Sequence, residues 1–111
     1  MPNPLPKPVV DYFAASNASD FSGLERCFDQ SAIVRDEDRE HHGPKAIADW
    51  HAQTKRQYRY QTEVLGHHTQ DDGVTVKTRV VGDFPGSPIE LDQRFQLSAQ
   101  GITALEIKPC Q

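Results

Sequence analysis

The chain has 111 residues, enough for one domain with a single core but too few for a second, substrate-binding domain. A net charge of −4 with scattered Lys and Arg residues leaves no basic stripe, so a nucleic-acid partner is not expected. No apolar run approaches the roughly 20 residues of a membrane-spanning helix. The start MPNPLPKPVV also lacks the apolar centre of a secretion signal, so we expect a cytoplasmic protein that does not bind membranes.

The N-terminal part of the chain contains a proline-rich start and two short predicted helices. Proline disfavours helical backbone in the residue before it, so residues 1–7 are predicted to be an extended segment that precedes a single domain over residues 8–111. Apolar residues then recur at helical spacing in two groups. The first follows Pro8 and has Tyr12 at its border: Val9, Val10, Phe13 and Ala14. The second follows a predicted N-cap at Asp20: Phe21, Leu24, Cys27 and Phe28.

A β-prone segment, a run of charges and a third helix start follow. Residues 31–35 are predicted to be a strand through Ile33 and Val34, and Asp36 lies at its end. The next residues are predicted to be a solvated loop, because charge runs are mostly exposed: Glu37, Asp38, Arg39 and Glu40. Gly43-Pro44 then places a proline in the first turn of a helix. Its predicted inward stripe has His51 beside it and consists of Ala46, Ile47, Trp50 and Thr54.

After Gln57, apolar and polar residues alternate with the period of two that is typical of β-strands. Turn signals divide this region at residues 71–73, 84–88 and 99–101, and a last strand is predicted over residues 102–107. The inward positions of the first three strands are Tyr58, Tyr60, Thr62 and Val64; Val74, Val76, Thr78 and Val80; and Ile89, Leu91, Gln93, Phe95 and Leu97. Helices followed by an antiparallel meander predict an α+β domain.

The outward positions of the predicted sheet are polar. In a monomer this face is solvated, but its charged residues could also pair across a two-fold axis, so we expect a homodimer through the outer sheet face. The charged residues concerned are Arg59, Lys77, Arg79, Glu90 and Arg94.

Cysteine and histidine spacing indicates neither a metal site nor a disulfide framework. Cys27 and Cys110 lie far apart without a CxxC motif, and we expect Cys27 in the core and Cys110 in the tail. The adjacent pairs His41-His42 and His67-His68 would point to opposite faces of a strand and so could not easily hold one ion. The sequence also lacks GxGxxG and P-loop motifs, so no cofactor is expected.

Three polar residues interrupt surfaces that should be apolar: Tyr12, Asp36 and Gln93. Trp50 and His51 can approach the same space. A buried polar group must be hydrogen-bonded to the protein or to a ligand, and burial raises the pKa of a carboxyl group, which suits a general base. Structural roles remain open. Asp36 could belong to the solvated loop, Tyr12 could reach water or His51, Gln93 could bridge strands, and Trp50 could be a core residue.

The order helix, helix, strand, helix, meander resembles the nuclear-transport-factor-2-like superfamily, which includes ketosteroid isomerases and SnoaL-like polyketide cyclases. The resemblance runs from Pro8 to Lys108. It is most specific in VVDYFAASNASDFSGLERCF, SAIVRDEDREHHGPKAIADW and FPGSPIELDQRFQLSAQGITALEI, and the last segment is more similar to small SnoaL-like proteins than to the isomerases. It implies a cone-shaped fold in which three N-terminal helices pack on a curved, mostly antiparallel sheet that encloses a pocket.

Comparison with the isomerases implies roles for individual residues. Tyr12 falls where their oxyanion-hole tyrosine lies, and Asp36 where their proton-abstracting aspartate lies. His51 falls on a supporting tyrosine, and Trp50 on an apolar residue that packs on the ligand. Gln93 takes the place of a protonated aspartate in the oxyanion hole, which puts steroid isomerisation itself in doubt.

The resulting expectation is a pocket for a small hydrophobic or cyclic molecule. Asp36 would abstract a proton next to a carbonyl group while Tyr12 and Gln93 donate to the oxygen. Trp50 would stack on the ligand, and His51 would help, as a proton relay if its pKa is near neutral. Further expected ligand-binding residues are Phe13, Thr78 and Phe95. An isomerase, cyclase or hydrolase without a cofactor would fit this pocket; the alternative is a non-catalytic ligand-binding domain or a dimeric scaffold.

Overall fold

The computed structural model describes residues 5–70 and 73–109, which form helices packed on one face of a six-stranded sheet. The elements are α1 (Lys7–Ala18), α2 (Phe21–Arg26), β1 (Phe28–Asp36), β2 (Arg39–His42), α3 (Pro44–Gln57), β3 (Tyr60–Gln70), β4 (Gly73–Gly82), β5 (Ile89–Ser98) and β6 (Gly101–Pro109). The predicted α+β class is confirmed. Of the two cysteines, Cys27 is buried as expected, whereas Cys110 lies outside the described residues.

Local signals explain where the first two helices begin and end. Pro8 lies in the first turn of α1, where its missing N–H would have no partner within the helix. The helix ends at Ser19, whose backbone is left-handed at φ 55° and whose N–H donates to the carbonyls of Ala15 and Ser16. Asp20 then caps α2 as predicted, accepting from the backbone N–H of Gly23 at 3.0 Å.

The charge run after Asp36 is a β-hairpin, so its prediction as a loop was wrong. Residues 39–42 form β2, which pairs antiparallel with β1, and the last ladder pair joins Asp36 to Arg39. Glu37 and Asp38 make the two-residue turn with positive φ values of 51° and 64°. Such turns normally carry Asn or Gly at these positions, so Glu-Asp provides no hairpin signal. The four charged side chains are nevertheless exposed, as the charge run indicated.

The sheet has the order β2-β1-β6-β5-β4-β3, and all neighbours are antiparallel except β1 and β6. Irregular register near Leu65 in β3 and after Gln96 in β5 increases the local twist and curls the sheet over the helices. The core lies between this concave face and the helices. Its largest fully buried residues are Leu24, Ile47, Phe95, Ile102 and Leu105.

The face that helix α3 turns to the core only partly matches the predicted one: Ile47 is buried and Trp50 packs on the core as expected. The expected stripe included Ala46, which is exposed, while Lys55 is buried together with His51. Lys55 is accommodated because its Nζ donates to the Tyr60 carbonyl at 2.6 Å and lies 4.0 Å from the centre of the Tyr60 ring. A hydropathy pattern cannot anticipate such tertiary partners.

The alternation in the strands is confirmed in the middle of the sheet and fails at its ends. All four predicted inward residues of β4 are buried, as are Gln93 and Phe95 of β5. Val64 and Ile89, also predicted to face inward, are 38% and 39% exposed. The inward side of a strand is covered only where a helix packs against it, and these two positions are not fully covered.

The outer face of the sheet carries oppositely charged residues at neighbouring positions. Lys77 Nζ lies 3.5 Å from Glu90 Oε1, and the strand register places Arg79 opposite Glu63 and Glu90. Cross-strand pairs of this kind stabilise a solvated sheet within one chain. The homodimer through this face stays a prediction.

None of the helices within residues 5–70 and 73–109 has the length and apolar character needed to span a bilayer.

Asn17 joins the end of α1 to the edge strand β3. Its Nδ2 donates to the Thr62 carbonyl and its Oδ1 accepts from the Thr62 N–H, both at 2.9 Å. At about 1 kcal/mol for each hydrogen bond, Asn17→Ala is expected to lower the free energy of unfolding by about 2 kcal/mol in urea titrations. Gln61→Ala, which removes only an exposed bond to the Asn17 carbonyl, should cost far less. Equal effects of the two substitutions would contradict this role.

Candidate functional site

A cavity of about 540 Å³ lies between the concave sheet face and helices α1 and α3. Six of the eight sequence-predicted site residues line it: Tyr12, Phe13, Asp36, Trp50, His51 and Gln93. The other two, Thr78 and Phe95, have no exposed surface and are not among the lining residues, so they lie behind the cavity surface. The volume is within the usual range for pockets that bind small molecules.

Asp36 ends β1 at the cavity and is half-buried there. Its carboxylate has no hydrogen bond or ion pair with any other residue in the described part of the chain. The neighbouring Arg35 is engaged elsewhere, since its Nε donates to Glu40 at 2.7 Å. Burial, reinforced by the negative charge of Glu37, raises the pKa of Asp36 to about 6. A carboxylate with this pKa can accept a proton near neutral pH.

Tyr12 lies deeper, on α1, and is only 2% exposed. Its ring makes edge-to-face contacts with Phe13, Phe28 and Phe95 at centroid distances of 5.2, 5.8 and 5.5 Å, which fix its orientation. Burial raises the pKa of its hydroxyl well above the ordinary value, and the nearby Tyr60 and Asp36 raise it further. Tyr12 is therefore a neutral hydrogen-bond donor, and no described residue hydrogen-bonds to its hydroxyl.

His51 is held by a residue that the sequence did not single out. Its Nε2 lies 2.7 Å from the Ser16 hydroxyl and 3.5 Å from the Tyr60 hydroxyl. Ser16 follows Tyr12 by one helical turn, so this signal was present in the spacing of α1. Burial, reinforced by the positive charge of Lys55, lowers the pKa of His51 to about 4. The imidazole is therefore neutral at physiological pH, which argues against the proton relay expected from an unperturbed pKa.

Trp50 is paired with a second histidine that sequence reasoning also missed. Its ring stacks on His41 with a centroid distance of 4.9 Å and an interplanar angle of 24°, and both residues line the cavity. Burial, followed by the charge of Arg39, lowers the pKa of His41. The residue could not be placed from the sequence because the hairpin that carries it was not recognised.

Unpaired buried atoms mark the same cavity. Within the described residues, the buried side-chain nitrogen and oxygen atoms without a partner are His41 Nε2, His51 Nδ1 and Gln93 Oε1. All three residues line the cavity. Since an unmade hydrogen bond in a buried position costs about 1–3 kcal/mol per group, this arrangement favours a polar ligand that supplies the missing partners.

Neither a metal site nor a curated relative identifies a reaction. The described residues contain no group of three or more His, Cys, Asp or Glu side chains that could hold a metal ion. No curated protein matches the sequence at a significant level.

Similarity to solved structures begins with a protein from Sinorhizobium meliloti that has been provisionally assigned as a polyketide cyclase. It is 36% identical, the match covers 94% of this chain and 95% of that one, and the TM-score is 0.90. A ketosteroid isomerase-like protein from Catenulispora acidiphila, in complex with trimethylamine, is 18% identical over 93% and 85% of the two chains at a TM-score of 0.83.

A third structure, an NTF2-like protein of unknown function from Cytophaga hutchinsonii, is 12% identical over 99% and 95% of the two chains at a TM-score of 0.78. The last two comparisons show the fold alone. The model of the SnoaL-like domain matches residues 9–106, which is nearly the whole chain. The resemblance seen in the sequence is thus confirmed, and the chain belongs to the SnoaL-like domain family.

Proposed function

We propose that this protein is a cofactor-free isomerase or cyclase that transfers a proton at the carbon next to a carbonyl group in a small cyclic molecule. The observation that carries the proposal is that Asp36, a carboxylate without a protein partner in the described residues, and Tyr12, a neutral buried donor, line one cavity. The similarity to a protein provisionally assigned as a polyketide cyclase agrees with carbonyl chemistry.

In the proposed reaction, Asp36 accepts a proton from the carbon next to the carbonyl group. The electron pair of the broken C–H bond moves onto the carbonyl oxygen, and Tyr12 stabilises the resulting enolate by donating a hydrogen bond. If the substrate has a carbon–carbon double bond conjugated with the enolate, Asp36 then returns the proton to the far carbon of that bond, and the double bond moves into conjugation with the carbonyl group. Alternatively, the enolate carbon attacks a second carbonyl group of the same molecule and closes a ring. The electron pair of the second C=O π bond moves onto its oxygen, which takes the proton back from Asp36 and becomes a hydroxyl group. Trp50, stacked on His41, provides a flat surface for a ring of the ligand.

Ligand binding without turnover is the alternative. It is supported equally well by the unpaired buried atoms of three cavity-lining residues: His41 Nε2, His51 Nδ1 and Gln93 Oε1. The two functions differ in what happens to a bound ketone. Binding alone leaves its C–H bonds intact, whereas the proposed enzyme exchanges the hydrogens next to the carbonyl group with solvent. A dimeric scaffold would need neither binding nor exchange, and a cavity of about 540 Å³ has no role in that function.

The bicyclic ketone 2-tetralone in D₂O provides a direct test by proton NMR. The expected result is loss of the signals of the hydrogens next to the carbonyl group at a rate well above that in buffer and in an equal concentration of serum albumin. Shifted ketone signals without faster exchange would favour the binding function. If 2-tetralone shows neither faster exchange nor binding, the proposal is overturned.

A further inference from the structure

The direction of the hydrogen bond between Gln93 and Thr78 can be deduced from the groups around it. Gln93 lies on β5, opposite Val76 of β4, and is 4% exposed. Its side-chain amide lies 3.3 Å from the Thr78 hydroxyl, which in turn donates to the Leu91 carbonyl at 3.0 Å. A hydroxyl group has one hydrogen, and here that hydrogen is used at Leu91.

Thr78 can therefore only accept from Gln93, and this fixes the orientation of the amide. The Nε2 of Gln93 must face Thr78, so the carbonyl oxygen Oε1 faces away from it. That oxygen is buried and has no hydrogen-bond partner among the described residues. Gln93 is among the residues that line the cavity, and its unpaired atom is an acceptor, whereas the sequence had led us to expect a donor to an enolate oxygen.

An unpaired acceptor selects its ligand by the hydrogen that the ligand supplies. A carbonyl or ether oxygen placed against Gln93 Oε1 would bring two acceptors together, which is repulsive. A hydroxyl group would satisfy the oxygen and remove the cost of leaving it buried and unpaired. Sites built to hydrogen-bond one such group discriminate strongly against analogues that lack it.

We propose that the cavity takes cyclic carbonyl compounds that also carry a hydroxyl group, whose hydrogen is donated to Gln93 Oε1. This inference rests on the proposed function for the carbonyl end of the ligand, which lies at Tyr12 and Asp36. The hydroxyl end is bound at Gln93, and Thr78 is the positioning residue that keeps the amide in the accepting orientation.

Matched probes test the hydroxyl requirement by NMR titration or calorimetry on the full chain. They are 2-tetralone, its 6-hydroxy and 7-hydroxy derivatives, and 6-methoxy-2-tetralone, which adds an oxygen but no donor. At least one hydroxy compound is expected to bind wild-type protein about tenfold more tightly than both the parent and the methoxy compound, the value of one well-made hydrogen bond. Equal affinity for all four probes overturns the inference.

Two substitutions then locate the preference. Gln93→Met removes the acceptor with little change in length and should reduce the preference to less than about twofold, whereas Gln96→Met, an exposed glutamine of the same strand, should leave it unchanged. Thr78→Val keeps the shape of the side chain but leaves the Gln93 amide free to rotate. It should therefore reduce the preference for the hydroxy compounds without abolishing binding of 2-tetralone. A hydroxyl preference that survives Gln93→Met overturns the inference even if Thr78→Val does not fold.

The two proposals fail separately. Exchange of the 2-tetralone hydrogens without a hydroxyl preference keeps the proposed function and overturns this inference. If the protein prefers hydroxy compounds through Gln93 but does not speed up exchange of the 2-tetralone hydrogens, the inferred ligand class stands and the proposed catalytic function is overturned.

Discussion

Asp36→Asn is expected to slow protein-catalysed exchange of 2-tetralone hydrogens by about 10²-fold to 10⁴-fold, because an amide keeps the shape of the side chain but cannot accept the proton. In the wild-type protein the rate should rise as Asp36 loses its proton, with a midpoint near its pKa of about 6, and level off above it. Asp38→Asn removes an exposed carboxylate two residues away and serves as the matched control. Similar losses in both variants would contradict a specific role for Asp36.

The same substitution is expected to stabilise the fold at neutral pH. The pKa of Asp36 is higher in the folded protein than the value of 3.8 for an unperturbed group, so the folded state binds the proton more tightly. The stability contributed by this proton is fully present below about pH 4 and is lost as the pH rises through about 6. Wild-type protein therefore carries a desolvated charge above pH 6 that Asp36→Asn removes.

Because Asp36 is only half-buried, the full value of the pKa shift must be discounted for solvent screening. We expect Asp36→Asn to raise the free energy of unfolding by about 1 kcal/mol at pH 7.5 and to have little effect near pH 4. Urea denaturation at the two pH values measures this. A variant that is inactive and more stable identifies Asp36 as a functional group whose charge destabilises the fold. A variant that is inactive and less stable would indicate a structural role.

The elements that could be predicted from the sequence are those specified by local signals. The N-cap at Asp20, the Gly43-Pro44 helix start and the alternation in β4 each depend on a few neighbouring residues, and the structure confirms all three. Gly43 has a positive φ of 87°, which a glycine adopts without strain. The hairpin after Asp36 was missed because Glu37 and Asp38 adopt positive φ without the usual residue types.

The sequence could predict which residues would meet in one cavity, but not their protonation states or hydrogen-bond partners. Spacing and resemblance placed Asp36, Tyr12 and His51 in one pocket, which the cavity brings together. The low pKa of His51, however, depends on burial and on Lys55, whose own burial the hydropathy pattern did not indicate. Such properties arise from contacts between residues distant in sequence, such as the Ser16 and His51 pair, 35 positions apart.

Whether Gln93 offers the cavity a donor or an acceptor also depends on contacts that the sequence does not reveal. Its inward position follows from the alternation of β5, but whether it donates or accepts depends on where the Thr78 hydroxyl sends its hydrogen. That is decided by the Leu91 carbonyl, which lies on β5 two residues before Gln93. Because Nε2 already donates to Thr78, the Gln93 atom left without a partner is the acceptor Oε1, and the donor role implied by the isomerase comparison stays a prediction.

Tyr12→Phe is expected to lower the exchange rate by about 10²-fold to 10³-fold, because it removes one donor to the developing negative charge on the substrate oxygen. The effect should appear mainly in kcat, since the donor contributes more to the enolate-like transition state than to the bound ketone. The fold should tolerate the change. The ring contacts with Phe13, Phe28 and Phe95 are kept, and the hydroxyl makes no hydrogen bond to another described residue.

The pH dependence separates this role from that of Asp36. Because burial keeps Tyr12 protonated well beyond neutral pH, its hydroxyl does not titrate where Asp36 does, and Tyr12→Phe should lower the whole rate profile while leaving its midpoint near 6. Tyr58→Phe is the matched control, since Tyr58 also lines the cavity but its hydroxyl accepts from Gln57 at 3.1 Å. A rate within about threefold of wild type in Tyr12→Phe, well short of what loss of an oxyanion donor costs, would mean that Tyr12 serves the core rather than the chemistry.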